Sequence, residues 1–443
     1  MTVTVLPPRA PRLKVAIIGG GPGGLGAAIA FNKLPYVDWS LYEKKPQISE
    51  TGGGISVQQH TWRLLEILGA AKNIDPVDFF RAPGGVSGQS RNGRTGALLE
   101  QNSYGPDVPL SQRSCRLIRA KLQAALLQEV DKSRVKVGIK LTEISKVPNT
   151  GRLRLQFADG FVDEVDLLVG ADGIRSSVRS FAFPEHRIQY NGQSAYRTII
   201  QKSAVFKTIP EIPKCPVFWQ NTGGKYVFTC PLGGDDFEVT ARIRRPLQGS
   251  SEGGDDPVSW GRPFDFYKLA SEYDEFCQPV RDAIKLAAAA TGDNKTQEFA
   301  LFSGPRLDSV VAHGRLALIG DASHPLSGAF GAGAGFALED VYALTESVDF
   351  AWRTGASLES ALGLYDEIRT PHYRDLYQVL DDFAAVNAAL ISEKLEADRE
   401  IEERVTRASE RKGGWMYHYE IDKVVARTLE TAEQNRLQTA VAA

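Results

Sequence analysis

The stretch LKVAIIGGGPGGLGAAIAFNKL, residues 13–34, constrains what this chain can fold into more than any other part of it. Leu13–Ile18 is an apolar, β-branched run that predicts a buried strand. Gly19, Gly21 and Gly24 follow at G-x-G-x-x-G spacing, and Ala27, Ala28, Ile29 and Phe31 continue as a helix. Glycines there let a strand turn tightly into a helix whose first backbone N–H groups can meet a pyrophosphate. A second strand, Val37–Tyr42, ends at Glu43. An acid at that strand end, about 20 positions past the glycines, accepts hydrogen bonds from ribose hydroxyls. Strand, turn, helix and acid in register predict an α/β unit that binds a dinucleotide, with FAD and NAD both open.

Two later segments narrow the choice. In VDLLVGADGIRSSVR (165–179), Val165–Val169 predicts a buried strand that closes on Asp172-Gly173. It follows two alternating runs joined by an Asp-Gly turn, the pattern of a small antiparallel meander. Arg175 and Arg179, four apart, share a helical face and read as a solvated basic surface. In LALIGDASHPLSGAFGAGAGFALED (316–340), Arg315–Ile319 is a strand, Gly320-Asp321 closes it, and a helix runs from about Phe336. Asp321 at a strand end suits a ribityl-like hydroxyl chain. Gly328, Gly331, Gly333 and Gly335 make room for a flat ring system, at which the following helix aims its positive end. That combination favours a flavin.

Composition removes other classes. With 52 Lys+Arg against 54 Asp+Glu the net charge is −2, which argues against nucleic acid or an anionic membrane as the main partner. No apolar run approaches the ~20 residues of a membrane span. The opening MTVTVLPPRAPRLK lacks a signal-peptide core. Cys115, Cys215, Cys230 and Cys277 are scattered and read as reduced thiols of a cytoplasmic protein. The six histidines show no ligand spacing, so no metal is expected.

Taken together, GGGPGG (19–24), GADGIRSSVR (170–179) and GDASHP (320–325) resemble the three motifs of the class A flavoprotein monooxygenases, the para-hydroxybenzoate hydroxylase fold. GAGAGFALED (331–340), ETGGGISVQQHTWRLLEILG (50–69) and YDEIRTPHYRDLYQVL (365–380) are similar to the salicylate-hydroxylase-like branch. The resemblance implies an FAD enzyme that uses NADPH or NADH as a transient co-substrate, and O2, to hydroxylate a small aromatic substrate. Carbon dioxide is expelled where a carboxylate occupies the attacked carbon. By position, Gly19, Gly21, Gly24 and Glu43 would hold the adenosine half. Arg119 would hold FAD, Asp172 would serve FAD and the reductant, and Gly320-Asp321 would bind ribityl. Pro325, Gly331, Gly333, Ala334 and Gly335 would line the flavin where oxygen reacts.

The expected architecture is a Rossmann-type FAD-binding domain (1–184 and 301–380) with an inserted antiparallel-sheet substrate domain (185–300) and a C-terminal helical segment (381–443). By the same resemblance, Tyr196 and Arg197 would be the substrate pair of the inserted sheet, with Arg197 as partner of a phenolate or carboxylate. Some members of the resembled family carry an H-x-x-x-Y pattern one strand on; this chain has Lys225 and Thr229 there, with Tyr226 and Phe228 as walls. Residues 246–264 read as an exposed loop. The aromatic stretch WMYHYEID (415–422) is read as an anchor for the tail, on the body or on a second subunit of a homodimer. Two other readings stand beside the hydroxylase: an epoxidase or reductase of the same fold acting on an alkene or isoprenoid, and a non-catalytic flavin redox sensor.

Overall fold

The computed structural model describes residues 12–49, 53–244, 260–264, 267–290, 296–326, 329–410 and 414–442. Gly328 lies outside these residues. Leu13–Ile18 sits in the middle of a six-stranded sheet. Its parallel neighbours are Leu167–Gly170 and Val37–Glu43. Beyond them lie Leu316–Leu318 and Val135–Val137, also parallel, and Val311–Ala312 adds an antiparallel edge. The three glycine-bearing motifs therefore leave the carboxyl ends of three adjacent strands, where open α/β sheets bind their ligands. Leu141–Lys146, Leu153–Phe157 and Val162–Val165 form the antiparallel meander.

The helix that follows Gly320-Asp321 begins at Gly333, three residues before the sequence signal. Apolar periodicity becomes readable only at Phe336, because the first turn is Gly-Ala-Gly. This helix, Gly333–Thr354, packs across Pro22–Asn32 and the long helix Leu358–Glu393. The division at residue 380 falls inside that last, 36-residue helix, which continues past Pro371. The C-terminal helices Ala397–Ser409 and Ile421–Ala442 follow. Met416, Ile421 and Val425 are buried in the same core as Leu25, Leu65 and Phe336. The aromatic tail segment thus docks on the body of its own chain.

The second large sheet has eight strands. Its order is Trp260–Phe264, Thr296–Ser303, Gln189–Gln201, Asp236–Arg244, Tyr226–Pro231, Val217–Gln220, Val86–Asn92, Leu98–Ser103. Two features depart from the expected division. Val86–Asn92 and Leu98–Ser103 come from the segment assigned to the first FAD-binding part, yet Val86–Asn92 pairs in parallel with Val217–Gln220. Trp260–Phe264, inside the expected loop, pairs with Thr296–Ser303, while residues 245–259 lie outside the described residues. Both follow from pairing between distant segments, to which a local pattern is blind.

Close packing gives two of the fingerprint glycines separate duties. A Cβ on Gly24 would stand 1.9 Å from the Gly19 carbonyl oxygen, so the helix could not sit this close to the strand. A Cβ on Gly21 would meet nothing within 4 Å. Gly24→Ala is therefore expected to destabilise the fold by about 3 kcal/mol or more, and Gly21→Ala by less than about 0.5 kcal/mol. Urea unfolding of the two variants beside the parent measures both.

Candidate active site

The carboxyl ends of the parallel strands open into a cleft of ≈ 1030 Å³ shared with the eight-stranded sheet. Three helices begin at this cleft: Pro22–Asn32, Arg119–Gln128 and Gly333–Thr354. None has a side-chain N-cap. Their first N–H groups are donors without an intrahelical partner, and the helix dipoles add positive potential. Bare Gly21 and Gly333 line the cleft and allow close approach. This donor set fits the FAD that the motifs imply: amides for phosphates, open backbone for a flat ring, and Asp321 at the cleft for hydroxyls.

The motif residues do not all face the cleft. Gly19 takes φ +110°, and a Cβ there would meet the Ala171 carbonyl at 2.4 Å, so it locks the first motif against the second. Glu43 is buried; its carboxylate accepts from Gly20 N at 2.7 Å and from Lys45 N at 2.8 Å, shaping the glycine turn. Asp172 caps the helix Ser177–Ala182, accepting from Ser177 N (2.7 Å), Ser177 Oγ (2.9 Å) and Val178 N (3.2 Å). Pro325 is buried and outside the cleft lining. A Cβ on Gly335 would meet His60 Nε2 and Thr61 Oγ1 at 2.3 Å, so this glycine serves helix packing. Arg119, Gly320, Asp321, Gly331, Gly333 and Ala334 do line the cleft.

Arg179 is not the solvated charge its spacing suggested. It is 3% exposed, and its Nη1 donates to the carbonyls of Asp321 (3.0 Å) and Ala322 (2.9 Å). It ties the second motif to the third. From the opposite side Gly320 N donates to Asp340 Oδ2 at 2.8 Å. Asp340 belongs to a fully buried cluster. Arg369 Nε donates to Asp340 Oδ1 at 2.7 Å, and the Arg369 Nη2–Glu339 Oε2 distance is 2.9 Å. Burial pushes the Asp340 carboxyl up to about 6 against the pull of Arg369. The neighbouring His60, His324 and His372 are held below the ordinary imidazole value, chiefly by burial. The cleft-lining turn Ala329–Gly331 also carries a strained residue: Phe330 has φ +67°, and the Tyr417 hydroxyl donates to its carbonyl at 3.0 Å.

Of the predicted substrate pair, Arg197 lines the cleft and Tyr196 does not. Adjacent residues of a strand point to opposite faces. Tyr196 is fully buried on the far side, its hydroxyl donating to Glu298 Oε1 at 2.7 Å. The same alternation turns Lys225 and Thr229 away from the cleft. Lys225 pairs with Glu275 at 3.0 Å, and Thr229 accepts from Trp219 Nε1 at 2.9 Å. Tyr226 and Phe228 take the cleft-facing positions.

The cleft floor holds two residues that sequence reasoning did not single out, Arg116 and Glu238. Glu238 is 2% exposed, ion-paired with Arg116 through Oε2, and accepts from Thr240 Oγ1 at 3.0 Å. Burial works against the Glu238 charge, but Arg116 and Arg197 outweigh it and hold the carboxyl below its ordinary range. A Cβ on Gly53 or Gly54 would fall within 2.7 Å of this carboxylate, which explains the glycine run there. The available signal was the alternation in Asp236–Arg244: Phe237, Val239 and Ala241 belong to the core, leaving Glu238, Thr240 and Arg242 on the other face. Removing this buried anion leaves Arg116 and Arg197 without the carboxylate that offsets them. Glu238→Gln is expected to cost about 3–5 kcal/mol of stability, read from urea melts, and a loss under about 1 kcal/mol would refute this role.

Comparison with known proteins agrees with the geometry. Residues 12–379 match the family described as the FAD binding domain. The chain is 29% identical over 338 residues to the 2-heptyl-3-hydroxy-4(1H)-quinolone synthase of Pseudomonas aeruginosa, covering 75% of this chain and 80% of that one. It is 26% identical over 444 residues to a salicylate hydroxylase of Pseudomonas putida, covering 94% of each. A solved salicylate hydroxylase–substrate complex shares the fold with a TM-score of 0.73, at 21% identity over 94% of this chain and 98% of that one. The chain belongs to the FAD-binding domain family, as a flavoprotein monooxygenase.

Proposed function

We propose that this enzyme uses NAD(P)H and O2 to hydroxylate a phenolic or aromatic-acid substrate whose negative charge is met by Arg197. The charge imbalance of the cleft floor carries the reading. Among the described residues of the cleft floor, Arg116 and Arg197 both bear on the carboxylate of Glu238, and Arg116 is ion-paired with it. Burial pulls the Arg197 guanidinium below its ordinary value, with Glu238 pulling the other way. A cation in that position is stabilised by an incoming anion. The salicylate hydroxylase among the relatives supports an anionic aromatic substrate, without identifying the substrate of this chain.

When bound, FAD supplies the chemistry of reduction by NAD(P)H and of oxygen activation. The chain does the rest. Gly21, Gly23 and the start of Pro22–Asn32 would hold the pyrophosphate, on the turn that Glu43 shapes through Gly20 N. Asp321 would take the ribityl hydroxyls; Gly331, Gly333 and Ala334 would lie against the ring. Arg197 would orient the substrate and favour its phenolate. With Lys225 and Thr229 turned away, that favouring replaces a histidine base on the neighbouring strand. Phe228, Phe299 and Tyr226 line the cleft with apolar surface that keeps water from the reacting atoms.

A panel of hydroxybenzoic acids tests the reading. NAD(P)H loss, hydroxylated product and released carbon dioxide are followed together. Acceleration with near-stoichiometric product is expected; reduction without any aromatic hydroxylation would point instead to the reductase or sensor readings. Arg197→Gln should raise KM about tenfold or more, since a hydrogen bond to a charged group is worth ~1.5–3 kcal/mol. It should also divert NAD(P)H electrons to hydrogen peroxide while leaving FAD content intact. Unchanged KM and coupling would remove Arg197 from the substrate site.

A further inference from the structure

The cleft extends well past the floor just described, and the strand register shows how. Arg197 pairs with Thr240, Thr240 with Phe228, and Phe228 with Phe218. Phe218 pairs in turn with Ser90, and Ser90 with Glu100. Directly paired residues share a face of the sheet, and all six line the same cleft. The row crosses five strand spacings of ~4.8 Å, so it runs for about 24 Å. One ring with its carboxylate covers only the first part of that length.

The far part is built to receive something. Phe218 is 39% exposed, although its ring lies 4.8 Å from that of Phe228, tilted by 50°. An aromatic left open inside a cleft offers a flat apolar seat. Beyond it Ser90 and Glu100 present acceptors. The helix Ala397–Ser409 walls this end: Gly223 N donates to Glu400 Oε1 at 2.9 Å, and Asn92 Nδ2 to Asp398 Oδ1 at 3.3 Å. Val405 and Ala408 of that helix line the cleft. They lie beyond residue 379, where the family match ends.

We infer that the enzyme takes an elongated substrate: an anionic phenolic ring at Arg197, a flat apolar body across Phe228 and Phe218, and a hydrogen-bond donor or amine reaching Ser90 and Glu100. This rests on the function proposed above and specifies its substrate class. The specificity-determining residues are then Phe218, Ser90 and Glu100.

The test compares salicylate with a biphenyl analogue of salicylate that ends in an amine. Both are titrated into the FAD-loaded protein, with Kd read from the change in flavin absorbance. The long probe is expected to bind at least tenfold more tightly. Ser90→Tyr, which fills the row, should erase that preference, and Glu100→Gln should reduce it. FAD content and circular dichroism of each variant report whether the fold is kept. Equal Kd values for the two probes, or a preference that survives Ser90→Tyr, overturn this inference alone. If neither probe binds and neither speeds NAD(P)H oxidation, the proposed function fails with it.

Discussion

The guanidinium of Arg369 lies without exposed surface between the carboxylates of Glu339 and Asp340, at the core of the helix pair Gly333–Thr354 and Leu358–Glu393. Two ions taken out of water lose several kcal/mol of solvation each, and their attraction offsets this only when the geometry and the remaining hydrogen bonds are good. Asp340 meets that condition: it accepts from Arg369, from the Tyr373 hydroxyl and from Gly320 N. The last bond is the consequential one. Through it a helix–helix ion pair dictates where the strand Leu316–Leu318 must turn, and so where Asp321 enters the cleft.

Arg179 completes that control from the other side. Asp340 holds the amide of the 320–322 turn, and Arg179 holds two of its carbonyls. With the backbone gripped at both ends, the Asp321 side chain faces the cleft. Gly19 adds the third lock through its close approach to Ala171. The turns at the cleft are thus fixed by contacts within the protein that a ligand does not have to organise. Preorganisation of this kind lowers the ordering cost of binding.

The eight-stranded sheet uses a different device. It separates duties by alternation, core residues on one face and the charged and aromatic row on the other. Glu238 keeps two arginines together in a space that only the glycines at 53 and 54 leave open. The helix Ala397–Ser409 then closes the end of the row with polar contacts to the sheet. Val405 and Ala408, past the end of the family match, form part of the cleft wall.

Periodicity and local chemistry determined much of this protein from sequence alone. Leu13–Ile18, the glycine spacing and Glu43 specify a strand, a tight turn and a helix whatever the rest of the chain does, because each depends on neighbours within a few residues. The same holds for the strand ends at Asp172 and Asp321, and for the fold class they imply. Tertiary structure decided what those residues touch. Tyr196 and Arg197 are adjacent in sequence, yet which of them met the cleft depended on the register with Asp236–Arg244. Asp172, Pro325 and Gly335 carry motif positions but serve a helix cap, a buried loop and a helix contact. Arg179 looked like a surface charge until distant carbonyls surrounded it. Arg116 and Glu238 are 122 positions apart, and Ser90 reaches the row of Arg197 through four intervening pairings. Such contacts are set by long-range sheet register and by the cost of burying an unpaired charge, neither of which leaves a mark in a local window of sequence.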